Sequence, residues 1–232
     1  MQDFLCSSPY PYVTWPTISE QGPIDYTYNS TIFVQKFYRE NGFIPYLSCQ
    51  AELVQWAVDF IQCNVQPYLP VVVHLKNNPN EPGASNADFD AWLTFFKDCY
   101  QQYDVMFILI GNEEIDQRVR KLPNILVARD SGSNLSRDLA LIQTAFMFMG
   151  MASGPCNMAV FSDIPYAIYK NPDHHAEQTA LELGGSDQFP FATPFQKVMR
   201  VLETTENLMA EFVNLYTHVN RQDWEKRLAN LR

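Results

Sequence analysis

Charged side chains are scarce in this chain, at 18% of 232 residues, and no long polar, Gly/Ser or Gln/Asn tract interrupts it. Disorder needs the opposite balance, so a disordered protein is excluded and a globular one expected. No CxxC occurs. Cys6, Cys49, Cys63, Cys99 and Cys156 are odd in number and widely spaced. That argues against a zinc site or a disulfide framework and for reduced thiols in a cytoplasmic protein. The N-terminus lacks a basic region followed by an apolar run, so no signal peptide is expected. The most apolar stretch, residues 139–161, is broken by Gln143, the Ser153-Gly154-Pro155 turn and Asn157. A buried helix followed by a buried strand explains it better than a membrane span. Cations are few as well: the formal net charge of −10 excludes a broad grip on nucleic acid, which needs clustered Lys and Arg. It leaves room for a small anionic ligand, because helix N-termini and one or two cations act locally.

What is present divides near residue 68. Residues 1–68 form an irregular and helical N-terminal segment, rich at first in Tyr, Pro and Ser, with helices expected at 30–40 and 48–64. Leu53, Trp56, Ala57, Phe60 and Ile61 make one apolar stripe on the second. From residue 69 to 232, strands and helices alternate. Short apolar runs at 70–75, 105–110, 125–128, 146–149 and 166–169 read as strands buried on both faces. Between them come helical patterns at 86–100, with Ser85 or Asn86 as cap, and at 136–145, with a short helix from Pro155. A long helix over 194–216 and a last one over 223–231 follow. This order predicts a Rossmann-like, three-layer α/β fold, a parallel sheet with helices on both faces. Ligands of such sheets sit beyond the carboxyl ends of the strands.

The unusual residues cluster at those ends. After the fourth strand, Gly150 leads into Ser153-Gly154-Pro155. Gly154 permits close backbone approach, and Pro155 suits a first helical position. Ser153 either caps the helix or offers its hydroxyl to an anion, and free N–H groups there form a phosphate site. A ligand-free capped turn obeys the same rules. Lys76 and Asn77 follow the first strand, where the ammonium meets either a diphosphate or solvent. His74, inside that strand, reads as a core histidine. Gly111-Asn112-Glu113 ends the second strand. Asp130, Ser133 and Asn134 belong to a polar loop opening a helix, with Arg129 and Asp130 as ligand contacts or a structural pair. His174 and His175 are neighbours and cannot face one ion from a regular helix, so no metal site is expected. Their loop reads as a cover over the pocket.

Taken in order, HLKNN, FILIGNEE, PNILVARDSGSNLSRDLALI and FMGMASGPCNMAVFSDIPYAIYK resemble the C-terminal, donor-binding half of GT-B-fold glycosyltransferases of the heptosyltransferase-like and bacterial fucosyltransferase-like kinds. The resemblance covers about residues 70–216. It implies that Ser153, Gly154 and Pro155 take the donor's diphosphate, that Lys76 supplies the cation, and that Asp130, Ser133 and Asn134 form the loop ahead of the preceding helix. With Asn77, Asn112 and His174 these are the candidate donor-binding residues. Two positions depart from the pattern: Ala152 stands where heptosyltransferase-like enzymes carry an acidic residue, and Lys76 where fucosyltransferase-like enzymes carry Arg.

The implied activity is transfer of a sugar from a nucleoside-diphosphate sugar to a carbohydrate or glycan acceptor hydroxyl, without cofactor or metal. In these families the catalytic base comes from the N-terminal half, and no residue here is assigned to it. Residues 1–64 are too few for such a half. The chain is then a shortened one, a subunit completed by another chain, or a domain that binds without turnover. A non-catalytic nucleotide-sugar-binding or assembly module and a nucleotide-sugar epimerase are the alternatives. Tyr10, Tyr12, Trp15, Tyr26, Tyr28, Phe33, Phe37 and Tyr38 offer an aromatic surface for a partner chain or oligomer.

Overall fold

The computed structural model describes residues 29–80, 83 and 85–231; Cys6, Tyr10, Tyr12, Trp15, Tyr26 and Tyr28 lie outside the described residues. Contacts divide the chain into two units, residues 1–43 and 44–232. In the first, the described element is α1 (Asn29–Asn41). Gly42 ends it at a φ of +77°, and its N–H donates to the Tyr38 carbonyl at 2.7 Å. A left-handed residue after the last turn is the usual way to satisfy such carbonyls.

The second unit opens with α2 (Ala51–Asn64) and continues into a six-stranded, all-parallel sheet. Its strands are β1 (Leu69–His74), β2 (Val105–Ile110), β3 (Ile125–Val127), β4 (Met147–Met151), β5 (Tyr166–Tyr169) and β6 (Gln196–Met199). Their spatial order is β3-β2-β1-β4-β5-β6. Alternation along each strand sorts side chains to two cores. Val71, Val73, Phe107, Leu109, Met147 and Met149 face one side. There they meet Trp92, Phe95 and Phe96 of α3 (Phe89–Cys99), and Leu208, Phe212 and Leu215 of α8 (Thr205–His218). Val72, Ile108, Phe148 and Ile168 face the other, against α2 and α5 (Leu135–Thr144). Because Ala57, Phe60 and Ile61 pack with Leu141 and Ile142, α2 groups with the sheet rather than with residues 1–43. Shorter elements complete the unit: α4 (Gln117–Arg120), α6 (Asn157–Val160), α7 (Ala176–Leu183) and α9 (Arg221–Asn230).

The expected fold class holds, with one correction of content. Residues 194–203 are not the start of a long helix. Gln196–Met199 extends the sheet as β6, parallel to β5 with Tyr166 opposite Gln196 and Ile168 opposite Val198. The helix begins only after Thr204, whose side chain accepts from the Asn207 N–H. The sequence pattern misleads because β6 is an edge strand with one buried face: Gln196 and Val198 are buried, while Lys197 and Met199 are half-exposed. Gln196 is tolerated there because its amide donates to the Ser162 and Ile164 carbonyls at 2.8 and 3.0 Å, as a buried polar group must. Among the described residues, no helix is long and apolar enough to cross a membrane.

Candidate functional site

β1 and β4 lie side by side, yet the chain leaves β1 toward β2 on one hand and reaches β4 on the other. The order 3-2-1-4-5-6 therefore has its reversal between β1 and β4, and a crevice opens beyond their carboxyl ends, where doubly wound sheets bind ligands. The backbones leave no room for a side chain there. Gly150 of β4 faces His74 of β1 at a φ of +149°, and a Cβ on it would stand 2.5 Å from the His74 carbonyl oxygen. Only glycine fits.

The crevice is a pocket of about 580 Å³, lined among others by His74, Lys76, Asn77, Asn112, Glu113 and Ser153. Gly154 and Pro155 line it too, with Arg129, Leu135 and Asp138. Six of the ten candidate residues thus converge: Lys76, Asn77, Asn112, Ser153, Gly154 and Pro155. The loop that carries Lys76 and Asn77 is closed by a reciprocal pair, in which the Asn78 N–H donates to Asn86 Oδ1 at 2.8 Å and the Asn86 amide to the Asn78 carbonyl at 2.9 Å. After Ser153 the chain makes one 3₁₀ turn (Gly154–Cys156) and one α turn. The helix dipole behind the turn is accordingly short, and Lys76 and Arg129 are the lysine and arginine of the described lining, beside Glu113 and Asp138.

The other four candidates sit outside the lining. Asp130 is exposed and pairs with Arg120, not with Arg129. Ser133 is buried, and its hydroxyl donates to Asp138. Asn134 caps α5, accepting the Arg137 N–H at 3.1 Å. His174 meets His175 with tilted rings, 4.2 Å between centroids, in a segment whose Asn171, Pro172 and Ala176 line a different cavity with Lys170 and Arg200. Among the described residues no group of three or more His, Cys, Asp or Glu is placed to hold a metal. Asp88-Phe89-Asp90 has Asp-x-Asp spacing, but Asp88 is the cap of α3, accepting from Asp90 and Ala91 N–H groups, each at 3.1 Å. Asp90 pairs with Arg118 at 2.9 Å.

Four titratable lining residues stand outside the ten candidates: His74, Glu113, Asp138 and Arg129, the last weighed in the sequence only as one of two alternatives. Arg129 donates to the Ser133 and Gly111 carbonyls at 2.7 and 3.0 Å and lies 3.7 Å from Asp138. Asp138 is buried and accepts the Gly111 N–H at 3.2 Å. Burial raises its pKa, against the hydrogen bonds from Ser133 and Gly111 and the charge of Arg129. His74 is not an inert core residue. Its Nδ1 is 2.8 Å from Ser153 Oγ and its Nε2 3.2 Å from Glu113 Oε1. For Glu113, burial raises the pKa, but the His74 hydrogen bond and charge and the Asn112 N–H together bring it below the ordinary value. An ionised carboxylate only accepts, so His74 Nε2 carries the proton and, in the neutral ring, Nδ1 accepts from the Ser153 hydroxyl. The signal for His74 was its place as the last residue of β1, where side chains turn from core to crevice.

The fold and the crevice define a doubly wound, all-parallel α/β unit, and comparison with solved structures gives it a particular relation. The unit has the GT-B-like fold of the ADP-heptose LPS heptosyltransferase II of E. coli, at a TM-score of 0.51 and 13% identity, over 75% of this chain and 54% of that one. A glycosyl transferase family 9 protein from Veillonella parvula aligns at a TM-score of 0.46 and 11% identity, over 78% of this chain and 47% of that one. The chain thus spans about half the length of these proteins. Neither a family model nor a curated protein sequence matches it.

Proposed function

We propose that the pocket between β1 and β4 binds a nucleoside-diphosphate sugar and that the chain serves as the donor-binding part of a glycosyltransferase acting on an acceptor hydroxyl. The observation that carries this reading is the convergence of Lys76, Asn77, Asn112, Ser153, Gly154 and Pro155 on one crevice at the reversal of strand order. The fold shared with the heptosyltransferase supports it. In this reading the charge that develops on the leaving diphosphate is met by Lys76 and Arg129 and by amide donors of Asn77 and Asn112. Such preorganised donors favour the transition state because they need no rearrangement as charge appears.

The test is thermal stability with UDP, GDP, CDP and ADP. A nucleotide held at a hundred times its dissociation constant adds about 2.7 kcal/mol to stability. One of the four is expected to raise the midpoint in a saturable, concentration-dependent way. No shift with any of them would overturn the reading and leave a module that binds something else.

A further inference from the structure

The donor reading uses Ser153 but leaves unused the His74 and Glu113 side chains linked to it. We propose that these residues form a nucleophilic triad, with Ser153 as nucleophile, His74 as general base and Glu113 as its orienting carboxylate, and that the pocket hydrolyses a carboxylic ester. The inference goes beyond the donor reading and does not rest on it.

Geometry carries it. The Ser153 hydroxyl and His74 Nδ1 are at 2.8 Å, and the opposite ring nitrogen reaches Glu113 at 3.2 Å. These are the separations required between a nucleophile, its base and the group that orients the base. Glu113 is itself held, its second oxygen accepting the Asn112 N–H at 2.9 Å. Space is kept for the pair: a Cβ on Gly111 would come within 2.8 and 2.9 Å of the His74 ring and nearer still to the Glu113 carboxylate. His74 is 3% exposed, so the ring is fixed, whereas Ser153 is half-exposed on the pocket wall. Serine stands at a strand-to-helix turn, where the N–H of the next residue, Gly154, has no partner inside the turn. That N–H and the Asn77 and Asn112 amides are the donors available to an oxyanion. Cys156, just beyond, is no rival nucleophile. Its thiol donates to the Ser153 carbonyl at 2.8 Å, and burial pushes its pKa up to about 11.

The steps balance without any co-reactant but water. Ser153 Oγ bonds to the ester carbonyl carbon while its proton passes to His74 Nδ1. Collapse of the tetrahedral adduct breaks the carbon–alkoxy bond, and the departing alcohol takes the proton from Nδ1. Water then adds to the acyl carbon, giving a proton to Nδ1, and the acyl–Oγ bond breaks as Ser153 recovers that proton and the acid leaves. Glu113 stays ionised and offsets the imidazolium charge formed at each addition.

The experiment is covalent labelling of the full chain with a fluorophosphonate probe, located by peptide mass spectrometry, beside hydrolysis of 4-nitrophenyl acetate. Wild type is expected to take one phosphonyl group on Ser153, and Ser153→Ala none, at an unchanged melting temperature. His74→Gln should slow labelling and hydrolysis at least a hundredfold, and Glu113→Gln about tenfold or more. An unlabelled Ser153 in folded wild type overturns the triad whether or not the His74 variant folds, as does a labelling rate unchanged by both substitutions. Labelling with no nucleotide shift would keep the triad and remove the donor reading. A nucleotide shift with no labelling would do the reverse.

Discussion

Glu203 is a carboxyl held where a charge is costly. It lies beside a separate cavity of about 530 Å³, accepting the Trp92 indole N–H and, at 3.2 Å, the Asp88 N–H. Burial, against those hydrogen bonds, raises its pKa from 4.5 to about 7. A carboxyl with a folded pKa above its unfolded one binds more protons folded, so stability falls as pH rises between the two values. Its contribution is complete below about pH 4.5 and gone above about pH 7. Glu203→Gln removes the titration and keeps one of the two acceptor oxygens, so its lost contact is a pH-independent cost. Relative to wild type it is therefore expected to gain about 2 kcal/mol between pH 5 and pH 8 in urea unfolding. An equal difference at both pH values would refute the assignment. At Gly111, a φ of +106° and the closeness of His74 and Glu113 leave no place for a methyl group. Gly111→Ala should cost about 2 kcal/mol or more in the same assay. Lys76→Ala should weaken whichever nucleotide binds by about tenfold, in line with one charge-assisted hydrogen bond, as read by isothermal titration.

At the level of elements, the buried strands were plain in the sequence. Val105–Ile110 and Tyr166–Tyr169 coincide with the expected bounds, because strands covered on both faces are continuous apolar runs. β6 was hidden because it is covered on one face only and its central contact is a buried glutamine. α3 starts three residues later than its apolar pattern suggested, since Asp88, and not Ser85 or Asn86, is the cap. For the site, loops at strand ends were legible as a group. What could not be read was which side chains bend inward: Asn134 spends its oxygen on a helix cap, and His74 and Ser153, 79 positions apart, meet only through strand pairing. Asn134→Ala is expected to lower stability by about 1 kcal/mol through loss of that cap, measured by chemical denaturation. Thr204→Ala, at the start of α8, should cost a similar amount.

Over the whole molecule, each described residue lining the β1–β4 pocket belongs to the unit of residues 44–232. A fragment of those residues, if folded by circular dichroism, is expected to take the same nucleotide, with a dissociation constant within about threefold of the full chain, well under the factor of ten that one lost charge-assisted contact brings. Loss of binding in a folded fragment would assign residues 1–43 to the ligand. The net charge of −10 makes the local cations decisive for any anionic ligand, and binding should weaken with added salt.

Main-chain pairing of Gly150 with His74 sets the spacing of β1 and β4 where the crevice begins. Lys76, Asn77 and Asn112 lie past that pairing, so exchanging them leaves the spacing of the two strands unchanged. The gauge and the lining are thus independent parts, and a change of ligand requires revision of only the second.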